Sequence, residues 1–232
     1  MRKLWLMVSL FLFLFVFILS AQTVSASPVW NTSVDESLYS GQRDTSNGVN
    51  ATNDWANNFS IKWEINQDSA TKNYTYSYTL DTTDPGISHF IVEVTKDINE
   101  FWYEDANWSK TELDDWSGSQ PGNPNLPQEF YGLKFDEMEG TQDVTVSFTT
   151  DRAPVWGVFY AKGGSSSGSG KFGTAWSSAL DLDDYKTGED TSLYIARPDS
   201  APIPEPASIL LFGTGLLGLA GLGRKRIRKK HI

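Results

Sequence analysis

The sequence predicts an exported all-β domain, a β-sandwich or jelly roll, between two apolar terminal segments. Alternating apolar and polar side chains recur in short segments between residues 59 and 196, which is the period of a strand with one buried face. No amphipathic helical pattern is found in this region, and it is rich in Thr, Tyr and Trp, which favour strands. The expected organisation is therefore a signal peptide at 1–26, an all-β ectodomain at 27–200 and an anchor at 201–232.

The N-terminal segment has the order of a secretory signal peptide. Arg2 and Lys3 precede an apolar run over residues 4–19, and Val24-Ser25-Ala26 offers the small residues that a signal peptidase recognises. We expect export through the Sec translocon and cleavage after Ala26. Because the apolar run is long for a signal peptide, an uncleaved membrane anchor is the alternative.

The ectodomain contains seven or eight short predicted strands. Residues 28–54 are polar and predict loops around one or two strands, and residues 98–125 predict a long irregular excursion. The Gly/Ser-rich residues 163–170 predict a flexible hairpin loop. The predicted strands are 59–65, 74–80, 89–95, 130–135, 144–149, 155–160, 172–176 and 193–196.

Charge and composition exclude several functions. Outside the signal peptide and the basic tail, eleven basic residues stand against twenty-nine acidic ones, a net charge of −18. This charge repels nucleic acid, so we expect no nucleic-acid partner. Cysteine is absent, which excludes disulfides and thiol chemistry, and His89 has no nucleophile signature around it for a Ser–His–Asp site. We therefore expect no cofactor.

The C-terminal segment combines a proline-rich tripeptide, an apolar run and a basic tail. Residues 207–223 carry no charge and would reach about 25 Å as a helix, the short end of a membrane span. A buried core helix beside a solvated tail is the alternative. The prolines mark the start of this helix, and the tail would stay on the cytoplasmic side. The tripeptide is Pro204, Glu205 and Pro206, and the basic residues are Arg224, Lys225, Arg226, Arg228, Lys229 and Lys230.

These three parts together resemble the PEP-CTERM sorting signal of Gram-negative bacteria. The resemblance covers about the last thirty residues. It implies recognition of Pro204, Glu205 and Pro206 by an exosortase, an integral-membrane transpeptidase-like enzyme that cuts near the tripeptide. It also implies an inner-membrane intermediate, followed by location at the cell surface or in the extracellular matrix.

The ectodomain offers two kinds of residue for binding. Trp102, Trp108 and Trp116 lie in the acidic stretch 98–125, where exposed aromatic rings beside carboxylates would hold a sugar. The alternative is a loop folded over the core with these tryptophans buried. A calcium site at Asp181, Asp183 and Asp184 is a weaker possibility, because this segment lacks the glycine and terminal glutamate of an EF-hand, and a solvated acidic loop is favoured.

Two functions follow from these residues. The first is a non-enzymatic surface or biofilm-matrix protein that binds exopolysaccharide. The alternative is a secreted carbohydrate-active enzyme that uses a pair of carboxylates. The candidate acids for such a pair are Glu104, Asp105, Glu112, Asp114, Asp115, Asp136, Glu137 and Glu139.

Overall fold

The structure is a computed structural model that describes residues 27–96, 102–104, 106–108, 110–120, 122–138, 140–164 and 172–199. The predicted signal peptide and the predicted sorting segment lie outside these residues. Within the ranges just given, no helix has the length and apolar character needed to cross a membrane.

Twelve strands and five short 3-10 helices make up the regular structure of the described residues, without an α-helix. The all-β class predicted from the sequence is confirmed. The strands are β1 (Ser40–Asp44), β2 (Val49–Ala51), β3 (Ser60–Gln67), β4 (Tyr74–Asp81), β5 (Ile87–Glu93), β6 (Thr111–Trp116), β7 (Phe130–Phe135), β8 (Asp143–Thr150), β9 (Pro154–Gly157), β10 (Phe159–Gly163), β11 (Thr174–Ser177) and β12 (Ile195–Pro198). The 3-10 helices are Glu36–Leu38, Asn53–Trp55, Ser178–Asp181, Tyr185–Thr187 and Thr191–Leu193.

Two antiparallel sheets form the body of the domain. The first has the strand order β1-β3-β4-β8 and the second has the order β2-β11-β10-β5-β7-β6. Strands β9 and β12 pair separately, from Ile195 opposite Gly157 to Pro198 opposite Pro154. All of these pairings are antiparallel.

Aromatic side chains fill the space between the two sheets. Tyr78 of β4 lies 5.4 Å from Phe90 of β5, and Phe148 of β8 lies 5.8 Å from Phe135 of β7, measured between ring centroids. Burial alternates along β3, β4 and β8, as the sequence pattern predicts for strands with one solvated face. Each fully buried ring of this kind contributes about 1.5–3 kcal/mol, so the aromatic layer is a main source of stability.

The central strands of the second sheet are covered on both faces. Nearly every residue of β5 is buried, because the segment that follows β6 folds over the outer face of this sheet. Tyr160 donates its hydroxyl to the Pro124 carbonyl at 2.7 Å, and Gln128 donates to the Leu180 carbonyl at 2.8 Å. The buried outer face explains why β5 has an apolar run rather than an alternating one.

Two sequence predictions were wrong in detail. Residues 155–160 were predicted as one strand, but the chain breaks at Val158 between β9 and β10, which belong to different sheets. The predicted excursion 98–125 contains a strand, β6, which pairs with β7 along its length. The one or two strands expected in residues 28–54 are β1 and β2. Of the predicted hairpin loop, residues 165–170 lie outside the described residues.

Candidate functional site

A buried carboxylate, Glu93, organises one end of the second sheet. Its side chain is 4% exposed. Oε1 accepts from the Trp30 indole N–H at 2.9 Å and from the Tyr185 hydroxyl at 3.1 Å, and Oε2 accepts from the Val158 backbone N–H at 3.0 Å. Glu93 therefore connects three segments that are far apart in the sequence, around Trp30, Val158 and Tyr185. Val158 lies at the break between β9 and β10.

Arg197 of β12 neutralises this carboxylate. Its side chain is fully buried, and its Nε lies 3.5 Å from Glu93 Oε2. The two terminal nitrogens donate to Thr95 Oγ1 at 2.6 Å, to the Pro198 carbonyl at 2.9 Å and to Asn31 Oδ1 at 3.0 Å. A buried charge needs such compensation, because desolvation of a single unpaired ion costs several kcal/mol.

Gly157 is required by this ion pair. A Cβ at this position would lie 2.2 Å from Arg197 Nε and 2.5 Å from Glu93 Oε2. Any side chain here would therefore separate the carboxylate from the guanidinium. The glycine is needed for space, and it lies at the last position of β9.

A cleft of about 290 Å³ opens beside Glu93. Its aromatic walls are Trp30, Tyr131 and Tyr185, and the Trp30 and Tyr185 rings meet edge to face with centroids 6.1 Å apart. Trp30 and Tyr131 are half-buried, whereas Tyr185 is buried. Such a wall combines the apolar surface of aromatic rings with polar atoms that Glu93 holds in place, as small-molecule sites do.

Four charged residues line the rim of this cleft, two lysines and two acids. Lys96 forms an ion pair with Asp115, and its ammonium lies 5.3 Å from the centroid of the Tyr131 ring. The Lys186 ammonium lies 4.9 Å from the centroid of the Trp30 ring. Glu129 is the second acid and is exposed. The rim therefore carries equal numbers of cationic and anionic side chains and has no formal net charge.

Local structure fixes the two aromatic residues that contact Glu93. Asn31, which follows Trp30, has a φ of 59° and donates its N–H to the Trp156 carbonyl at 2.9 Å. Tyr185 opens a 3-10 helix that is capped by Asp184, which accepts from the Lys186 N–H at 3.0 Å. Burial and then the Glu93 charge raise the pKa of Tyr185, so its hydroxyl stays protonated and donates to Glu93.

The three tryptophans predicted to bind a glycan lie in different environments. Trp102 is 43% exposed, and its carbonyl accepts from Thr150 of β8 in the first sheet. Trp108 is half-buried and donates its N–H to the Asp136 carbonyl at 2.6 Å. Trp116 of β6 is 7% exposed and donates to the Gly132 carbonyl. Trp108 is thus partly covered and Trp116 is buried, and glycan binding through the three residues stays a prediction.

The three aspartates considered for calcium do not form a group. Asp181 accepts from the Asn50 side chain and from the Trp176 indole, Asp184 caps a 3-10 helix, and Asp183 is exposed. Over the described ranges, no three residues of the types His, Cys, Asp and Glu stand together as metal ligands.

The described candidate carboxylates for catalysis lie on or beside the paired strands β6 and β7, except Glu104, which lies beside β8. Glu104 bridges to Thr149 of β8, whereas Glu112 and Asp114 lie exposed on β6. Burial opposes ionisation of Asp136, but the hydrogen bonds from Lys134 and from the Glu137 N–H outweigh it and hold its pKa below the usual value. Glu137 pairs with Lys110, and residues 105 and 139 lie outside the described residues. The enzyme alternative stays a prediction.

Sequence reasoning missed Glu93, Arg197, Trp30 and Tyr185 as one constellation. The signal was present in the predicted strand 89–95, where a single acid stands among apolar residues. An acid in such a strand needs a buried cation or several hydrogen-bond donors. Its partners are 63 to 104 residues away along the chain, so their identity does not follow from local pattern.

Comparison with known proteins supports the sorting prediction. Residues 202–226 match the family described as the PEP-CTERM protein-sorting motif. No curated protein and no solved structure matches the chain. The chain therefore carries an exosortase sorting signal at its C-terminus, which implies an exported protein that is processed at the membrane.

Proposed function

We propose that this exosortase substrate is a surface or matrix protein of a Gram-negative cell, and that its ectodomain binds a glycan without catalysis. The observation that carries the proposal is the sorting-motif match at residues 202–226, directly after the last strand of the domain. The strongly acidic ectodomain supports this role, because net charge keeps an exported protein soluble and disfavours nucleic acid and anionic lipid.

Each part of the sorting segment has a role in this proposal. Pro204, Glu205 and Pro206 are recognised by the exosortase. The uncharged residues 207–223 hold the precursor in the inner membrane, and the basic residues 224–230 keep its end in the cytoplasm. Cleavage near the tripeptide then separates the ectodomain from this anchor.

The test follows a tagged chain by fractionation and intact mass in hosts with and without the exosortase. We expect the mass of residues beyond the tripeptide to be lost only in the host that has the enzyme. Changing Pro204 and Pro206 to Ala together should abolish this loss, whereas Ser200→Ala, a change that lies before the matched segment, should not. An intact C-terminus in the inner membrane of both hosts would show that the segment is an ordinary membrane anchor.

Export has a separate readout. N-terminal sequencing of the recovered protein should begin at Ser27 if the first 26 residues are a signal peptide. Recovery of the chain with Met1 or Arg2 at its N-terminus, in the membrane fraction, would identify the uncleaved anchor instead.

A further inference from the structure

We infer that the cleft formed by Trp30, Tyr131 and Tyr185 binds a neutral sugar residue of a polysaccharide. This inference rests on the proposed glycan binding and assigns it to a site other than Trp102, Trp108 and Trp116. The cleft has about 290 Å³ of space, near the lower end of the range of about 300–1,000 Å³ that small-molecule sites occupy. It therefore suits one sugar residue of a longer chain.

The aromatic wall supplies the apolar part of the recognition. A pyranose has an apolar face of C–H groups, and an aromatic ring offers a flat surface with a negative face for such groups. Trp30 and Tyr131 line the cleft and each already has a lysine ammonium near the ring face, at 4.9 Å and 5.3 Å from the centroids. Both lysines are exposed, so they can move aside and donate to sugar hydroxyls instead.

The polar rim matches the hydroxyl groups of the same ligand. Asp115 and Glu129 are acceptors, and Lys96 and Lys186 are donors, so the rim offers both kinds of partner to sugar hydroxyls. Because the two lysines balance the two acids, the rim does not favour a charged ligand. The acidic ectodomain around it repels anionic polysaccharides at long range. These charges select a neutral glycan.

The buried pair beneath the cleft prepares this geometry in advance. Glu93 Oε1 fixes the Trp30 indole and the Tyr185 hydroxyl, and Arg197 balances the carboxylate without lining the cleft itself. The aromatic side chains are therefore ordered before a ligand arrives. Preorganisation of this kind reduces the entropy lost on binding.

The test uses the full chain in a detergent that has no sugar headgroup. The probes are neutral hexasaccharides of glucose, xylose and mannose, with polygalacturonate as the anionic comparison, and binding is measured by titration calorimetry. We expect at least one neutral hexasaccharide to bind and polygalacturonate not to bind. Trp30→Ala should weaken this binding about tenfold, from the lost stacking area.

A second variant is needed because Trp30→Ala could lose binding by disturbing the fold. Glu129→Gln changes only an exposed rim acid and should weaken binding about fivefold, from the lost charge on a hydrogen-bond acceptor. Glu112→Gln, an exposed acid of β6 that does not line the cleft, and Trp102→Ala should bind as the wild type does. Near-ultraviolet circular dichroism checks the fold of every variant.

The outcomes separate the two claims. If the wild type binds none of the probes, both the proposed glycan binding and the cleft assignment are overturned. If the wild type binds but the folded Trp30 and Glu129 variants bind equally well, glycan binding stands and the cleft is excluded. Loss of binding in Trp102→Ala alone would return the site to the tryptophans predicted from the sequence.

Discussion

Removal of the Arg197 guanidinium should strongly destabilise the domain. In Arg197→Met a side chain of similar length remains, but Glu93, which is 4% exposed, loses its cation, and Asn31 and Thr95 lose donors. At 3.5 Å and an effective dielectric constant of about 20, the attraction between the two charges is about 5 kcal/mol. Breaking such a buried pair costs about 3–5 kcal/mol, a large share of the 5–15 kcal/mol that stabilises a domain.

The assay is urea unfolding of the ectodomain, residues 27–200, followed by tryptophan fluorescence at pH 7. Glu93→Gln should cost a similar amount, because it leaves the Arg197 cation buried without its counter-ion. The double variant should cost clearly less than the sum of the two single ones, which measures the coupling. Lys110→Met, which removes an exposed ion pair with Glu137, is the control and should leave the midpoint unchanged.

Two results would contradict this reasoning. The first is an Arg197→Met midpoint no lower than that of Lys110→Met. The second is strict additivity of the Glu93 and Arg197 changes, since additivity would mean that the two charges do not interact. In either case the ion pair between Glu93 and Arg197 would not contribute measurably to the stability of the domain.

Three further predictions concern other parts of the domain. Burial, and then the charges of Lys134 and Lys162, lower the pKa of His89 to about 3, whereas its pKa in the unfolded chain is about 6.5. The unfolded chain therefore binds the proton more readily, and the free energy of unfolding should fall by up to about 1.4 kcal/mol per pH unit as the pH drops from about 6.5 towards 3. His89→Gln should flatten the slope of unfolding free energy against pH in this window, and an identical slope would count against it. Gly41→Ala places a Cβ 2.1 Å from the Trp63 ring and should cost about 1–3 kcal/mol in urea unfolding, and an unchanged midpoint would contradict this expectation. Tyr78→Phe removes a buried hydrogen bond of 2.9 Å to the Ala196 carbonyl and should lower the free energy of unfolding by about 1 kcal/mol in the same assay. An unchanged free energy of unfolding would show that this hydrogen bond does not stabilise the domain.

The strands with one solvated face could be predicted from the sequence, because their side chains alternate. Residues 59–65, 74–80 and 144–149 agree with β3, β4 and β8 within about two residues at each end. Strand β6 was missed because its acids suggested a loop. It lies at an open edge of the second sheet, where charges are tolerated and protect against pairing with other chains.

The break at Val158 could not be predicted from local pattern. Residues 155–160 are apolar throughout, and the Val158 N–H at the interruption donates to the Glu93 carboxylate, 65 residues away. The cleft could not be predicted from local pattern either, because its walls come from the N-terminal segment, from β7 and from a 3-10 helix near residue 185. The sorting segment was predictable, since its parts are contiguous and each depends on local chemistry.

The position of Arg197 has a consequence for the order in which the domain can mature. The ribosome makes the chain from its N-terminus, so Asn31, Glu93 and Thr95 all exist before the cation that completes their buried cluster is added. Until then the cluster holds an uncompensated carboxylate, and the last strand has not joined β9. Residue 202, where the sorting match begins, is made only five residues after Arg197. The domain therefore cannot complete its buried cluster before the residues that border the sorting signal have been made.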